Sequence, residues 1–184
     1  MENLFNNRSQ IEILISQADD NKMTEKLILQ FENLKKTRTP FYLKANELEQ
    51  ILEWKLRKQY SRQTKIRQNN TENNIELITK TTFLLTQKNK DIETVLKLKS
   101  LTLLYGVEIP VASSILTLCY PENYSVIDFR NWRQIFKVST KKTSYTTKEY
   151  NEYLKRIKYL SKKFNFSTQQ IDIAIWQKDI NENG

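Results

Sequence analysis

LTLLYGVEIPVASSILTLCYPENYSVIDFRNW, residues 101–132, decides the fold of this chain. Its centre, VASSILTLCY, is a continuous apolar run and reads as a buried helix. Gly106, one of only two glycines in the 184 residues, supplies a tight turn that opens this helix. Pro121-Glu122-Asn123 closes it with a second turn, Ser125 to Asp128 reads as a short extended piece, and Asp128 stands where it can cap the helix FRNWRQIF. The layout places a helix N-terminus, with its free backbone N–H groups, and a lone carboxylate on one face of a helical domain.

The flanks continue the helical pattern. Ile11, Leu14, Ile15 and Ala18 make an apolar stripe over 8–20, and Leu27, Ile28, Phe31 and Leu34 make another over 23–36. Thr39-Pro40 breaks the pattern. A third helix runs from Ala45 to Tyr60, with Leu48, Ile51, Leu52 and Leu56 inward. Asn70 or Thr71 caps a fourth carrying Ile75, Ile78, Phe83 and Leu84. Asp91 caps a fifth with Val95, Leu96 and Leu98 inward. Thr146 or Thr147 starts a long helix through Lys163, and Ser167 caps a last one ending near Trp176, after which the tail is expected to fray. No strand alternation is sustained. The expectation is one all-α, compact helical domain over 1–184, in which N-terminal helices (about 8–36) pack on a core (about 41–178).

Composition narrows the chemistry. The chain has no histidine and one cysteine, which removes histidine acid–base catalysis and excludes disulfides, zinc sites and iron–sulfur clusters built within one chain. Cys119 lies in the apolar run and reads as a small buried hydrophobe. No cofactor and no metal are expected. The formal net charge of +9 points to a polyanion, most plausibly nucleic acid. No segment has the length and hydropathy of a membrane span or a signal-peptide core, so a reducing, cytoplasmic location is expected, nucleoid-associated in a bacterium.

The 101–132 block resembles the helix–hairpin–helix DNA glycosylase superfamily. Leu104, Gly106, Val107 and Ala112 match its hairpin, and Val126 and Asp128 match the segment holding its catalytic aspartate. Residues 52–70, 104–132, 145–154 and 171–176 together resemble a narrower group of small proteins with the same core. The resemblance implies a glycosylase-like core, double-stranded DNA as partner, base excision as activity and Asp128 as the catalytic residue, with Gly106 and Val107 at the phosphate backbone. Two departures qualify it. Glu108 stands at the second hairpin glycine, and Pro110 stands where lyase-competent members carry a nucleophilic lysine. A Schiff-base lyase is therefore disfavoured, leaving monofunctional excision by water, a non-cutting nucleic-acid-binding module, or a protein-interaction subunit.

The residues themselves support two readings at each position. A carboxylate beside an extruded nucleotide can stabilise an oxocarbenium-like sugar without metal or histidine, yet Asp128 can equally serve as a helix cap. Lys55, Arg57, Lys58, Arg62, Lys65 and Arg67, with Trp54 and Tyr60 interleaved, read as a phosphate-tracking face or as a solvated one. Lys55, Arg57, Arg62 and Arg130 are the expected nucleic-acid contacts. Arg130 and Arg133 can pair with Asp128 or reach phosphate, and Asp172, alone in IDIAIW, calls for a salt bridge with Arg57 or Arg130. A second cluster (Lys137, Lys141, Lys142, Lys155, Arg156, Lys158, Lys162, Lys163) reads chiefly as solvated charge.

Overall fold

The computed structural model describes residues 4–18, 21–139 and 141–184. The described residues form α1 (Arg8–Gln17), α2 (Asn21–Thr37), α3 (Ala45–Leu56), a 3-10 helix (Arg57–Gln63), α4 (Thr64–Arg67), α5 (Glu72–Leu84), α6 (Lys90–Leu101), α7 (Ile109–Cys119), α8 (Phe129–Phe136), α9 (Thr147–Phe164) and α10 (Thr168–Asn183), with no strand among them. The all-α expectation holds.

Helix α7 is the axis of the molecule. Every residue from Val111 to Cys119 is buried, and α2, α3 and α6 pack against it. Its hydroxyl residues are accommodated by donating backwards along the helix: Ser113 and Ser114 to Pro110 O (2.8 and 2.9 Å) and Thr117 to Ser113 O (2.7 Å). Cys119 is fully buried, and burial pushes its thiol well above the ordinary range. The chain ends meet where α1 packs on α10, which also packs on α8 and α9.

Several elements differ from the sequence reading. The third helix stops at Leu56, because Arg57 adopts φ 49°, ψ −123° and the chain tightens into the 3-10 turn. The stripe expected on α5 shifts: Leu84 is exposed, while Thr79 and Thr82 are buried with their hydroxyls bonded to Ile75 O and Ile78 O. Leu96 on α6 is likewise exposed; Lys97 is buried with Glu93, which it meets at 3.4 Å. The α6 cap is Asn89, two residues before the expected Asp91. Thr71, Thr146 and Ser167 cap their helices as expected. Positions 19 and 20 of the helix expected over 8–20 lie outside the described residues.

The largest difference is α10, which continues to Asn183 rather than ending near Trp176. Asp179 holds it there. This carboxylate is wholly buried and accepts from Arg130 Nη1 (2.9 Å), Arg133 Nε (2.8 Å) and Gln134 Nε2 (3.2 Å) on α8.

Candidate functional site

The segment delivering Asp128 is fixed from three sides. Tyr124, Ser125, Val126 and Ile127 are all buried. Thr168 donates to Pro121 O and Tyr124 O, Tyr150 to Ser125 O (2.9 Å) and Tyr153 to Val126 O (2.8 Å). Ile127 N–H donates to Ser113 Oγ on α7 (3.1 Å). An extended strand-like piece without a partner strand thus finds its hydrogen bonds in helix side chains, and its register sets where Asp128 emerges.

Asp128 has two faces. Oδ1 caps α8, accepting from the N–H groups of Arg130 and Asn131 at 3.0 Å each. Oδ2 lies 3.8 Å from Lys55 Nζ, and the side chain is 22% exposed. A cap contributes about 1 kcal/mol, but it occupies only one oxygen. The other opens into a cleft of about 490 Å³ whose lining includes Trp54, Lys55, Arg57, Phe129, Arg130 and Trp176. That volume is within the usual range for small-ligand sites. A smaller cavity of about 140 Å³ near Phe136 and Phe164 has no carboxylate in its lining.

The structure therefore brings Lys55, Arg57, Asp128 and Arg130 together. Arg57 lies over the Trp176 ring, 5.0 Å from its centroid. Burial, with the nearby Arg130 charge, lowers the Arg57 pKa, while Asp128 opposes that shift. Trp54 donates to Thr24 Oγ1 (3.1 Å) and packs partly on the core. Arg57 holds its place with a left-handed φ, a strain of about 1–3 kcal/mol for a residue with a side chain. Arg57→Gly is accordingly expected to be more stable than Arg57→Ala by about 1 kcal/mol, although both lose the same cation; paired urea titrations read the difference.

Gly106, Val107 and Arg62 form no part of the lining of this cleft. Gly106 makes its turn with φ 77°. Val107 is a core residue, and its N–H donates to Leu104 O (3.1 Å). Glu108 is the N-cap residue of α7, and Pro110 in the first turn carries no N–H. Asn70 braces the turn, donating to Tyr105 O (2.9 Å) and accepting from Tyr105 N–H (2.8 Å). Arg62 is an exposed residue of the 3-10 helix.

Two ion pairs expected from the sequence are replaced. Arg130 and Arg133 engage Asp179, not Asp128. Asp172, 7% exposed, meets no arginine: Ser125 Oγ (3.0 Å) and Asn131 Nδ2 donate to its Oδ1, and the one Tyr153 hydroxyl proton is shared between that oxygen (3.1 Å) and Val126 O. In the second cluster, Lys142 pairs with Glu149 (2.8 Å), Lys155 pairs with Asp91, and Arg156 donates to Ile135 O (3.0 Å).

Burial, reinforced by the Asp128 charge, pushes the Asp172 carboxyl from 3.8 up to about 7, against the opposing pull of Lys55, Ser125 and Tyr153. A carboxyl raised on folding binds more proton in the folded state. Its contribution is complete below the unfolded pKa near 4 and declines as pH rises through about 7. Asp172→Asn escapes that decline. Its stability relative to wild type is expected to improve by about 2–3 kcal/mol between pH 5 and pH 8.5, measured by denaturant titration at both values.

No family model, curated protein or solved structure matches the chain. Among the described residues no helix is long and apolar enough to cross a membrane, and no group of three or more His, Cys, Asp or Glu side chains is placed to hold a metal.

Proposed function

We propose that this chain binds double-stranded DNA and excises a damaged or modified base as a monofunctional glycosylase, with Asp128 as its catalytic carboxylate. The observation that carries the reading is Asp128 itself: one oxygen is committed to the helix cap, and the other faces an open cleft flanked by Lys55, Arg57 and Arg130. The cations suit phosphates on either side of an extruded nucleotide, and Trp54, Phe129 and Trp176 suit the flat faces of a base. A carboxylate there stabilises the positive charge that develops on the sugar as the base departs, and water completes the reaction. Turn, buried helix, extended segment and capped aspartate follow one another in the order of the helix–hairpin–helix glycosylases, which adds weight. Pro110 in place of a lysine argues for hydrolysis without a lyase step.

A second reading, a DNA-binding module that no longer cuts, draws on the turn before α7. Its Val107 N–H is used internally, Glu108 places a carboxylate beside it, and Pro110 removes a donor, so the turn is a weaker phosphate site than a glycine-rich hairpin.

The test is duplex binding against salt, followed by excision on duplexes carrying deaminated, alkylated, oxidised or hypermodified bases. Abasic sites together with steeply salt-dependent binding are the expected result. Binding without abasic sites favours the second reading, and the absence of both binding and abasic sites points to a protein-interaction role.

A further inference from the structure

The cleft holds a second carboxyl that base excision by Asp128 alone leaves without a task. Asp172 lines the same cleft from α10. Its three donors, Ser125, Tyr153 and Asn131, converge on Oδ1, and Oδ2 has no hydrogen-bond partner among the described residues. Among the described residues no cation forms an ion pair with it, and burial outweighs the pull of Lys55 and of its hydrogen bonds. Asn131 ties the two acids together: its backbone N–H donates to Asp128 Oδ1 and its side-chain amide donates to Asp172 Oδ1.

Resting on the reading of the cleft given above, we propose that Asp172 is the general acid of the reaction, its Oδ2 giving a proton to the departing base while Asp128 faces the sugar. The C1′–N bond breaks with its electron pair passing to the base, and the Asp172 proton goes to a ring nitrogen of that base. Water adds at C1′ and passes a proton to Asp128; Asp128 then releases that proton to solvent, and solvent returns one to Asp172. The sum is nucleotide plus water giving an abasic sugar and a free neutral base. A buried carboxyl whose surroundings favour its protonated form, beside a second carboxylate in the same cleft, is suited to such divided roles. Burial and the Asp128 charge raise the Asp172 carboxyl to about 7, against the charge of Lys55 on α3 and the hydroxyls of Ser125 and Tyr153, so a protonated fraction persists near neutrality. Arg57 and Arg130 also face the cleft.

The assignment selects a substrate class. A neutral base with a protonatable ring nitrogen needs the acid; an N7-alkylated purine, already cationic, leaves as a neutral base without one. Asp172→Asn is therefore expected to lose about 10²-fold or more on neutral bases and to change little on an N7-alkylated purine. The wild-type rate on neutral bases should fall as pH rises through about 7, and this limb should be absent in Asp172→Asn.

Single-turnover excision by both proteins from pH 5 to 9, with their fold checked by near-ultraviolet circular dichroism, reads all three. Carbon-13 NMR of the Asp172 carboxyl supplies a readout independent of activity: it should titrate near 7 in wild type and lower in Asp128→Asn. Equal rates and pH profiles for wild type and Asp172→Asn, or a titration below about 5, overturn the acid role and leave the excision reading standing. Wild type that excises only cationic bases also overturns it. Wild type inactive on every duplex overturns both.

Discussion

Asp179→Ala is expected to destabilise the protein by about 3–5 kcal/mol, read as a large fall in the urea midpoint. The wild-type carboxylate is wholly buried and receives Arg130, Arg133 and Gln134 from α8, with Asn183 Nδ2 donating from its own helix at 3.3 Å. Truncation leaves two arginines, each with only about a quarter of its side chain exposed, without their counter-charge. It also removes the anchor of the last turns of α10. Asp179→Asn keeps an acceptor and should lose less. Burial opposes ionisation of Asp179, but hydrogen bonds from Arg133, Gln134 and Arg130 outweigh it and hold the carboxyl below its usual range. The stability it supplies is present above the unfolded pKa and is lost as pH falls through the lower folded value. An acid limb in wild-type stability should therefore be blunted in Asp179→Ala. Because Arg130 lines the cleft, the same change is expected to weaken duplex binding.

Asp128→Asn is the second large effect, and it should be confined to catalysis. Asparagine is as good an N-cap as aspartate, and its amide oxygen can still accept from Arg130 and Asn131. The fold should survive with a loss of no more than about 1 kcal/mol. What disappears is the negative charge facing the cleft. Removing one such preorganised electrostatic group typically costs about 10²–10³-fold in rate, and that loss is expected here with duplex affinity retained or improved, since one carboxylate fewer opposes the phosphates. An equal fall in binding and excision would instead assign Asp128 to holding the structure.

The sequence announced the frame of this site better than its interior. The apolar run before Tyr120 could only be a buried helix, and Asp128 before FRNWRQIF is a legible cap, so α7, α8 and the aspartate between them follow from local rules. The basic run around Trp54 marked Lys55 and Arg57, and the fold brings both to Asp128. Val107 lies outside the cleft for a physical reason: its apolar side chain belongs to the core, and its N–H closes the turn. The pairings of α10 were hidden because they are tertiary. Asp172 and Asp179 lie seven residues apart, two turns along one face, a spacing that puts both against the same neighbour. That signal was available, and it would have carried the helix past Trp176. Which partner each acid takes, Asn131 for one and the two arginines for the other, depends on how α8 docks, and no local pattern encodes it.

The most direct measurement is chromatography of free base released from the modified duplexes under protein excess, with wild type and Asp128→Asn run in parallel and binding measured in the same samples. The expected result is release of at least one modified base by wild type, and slower release by about 10²–10³-fold from Asp128→Asn at undiminished binding. Release at the same rate from both proteins, or from neither, contradicts the account.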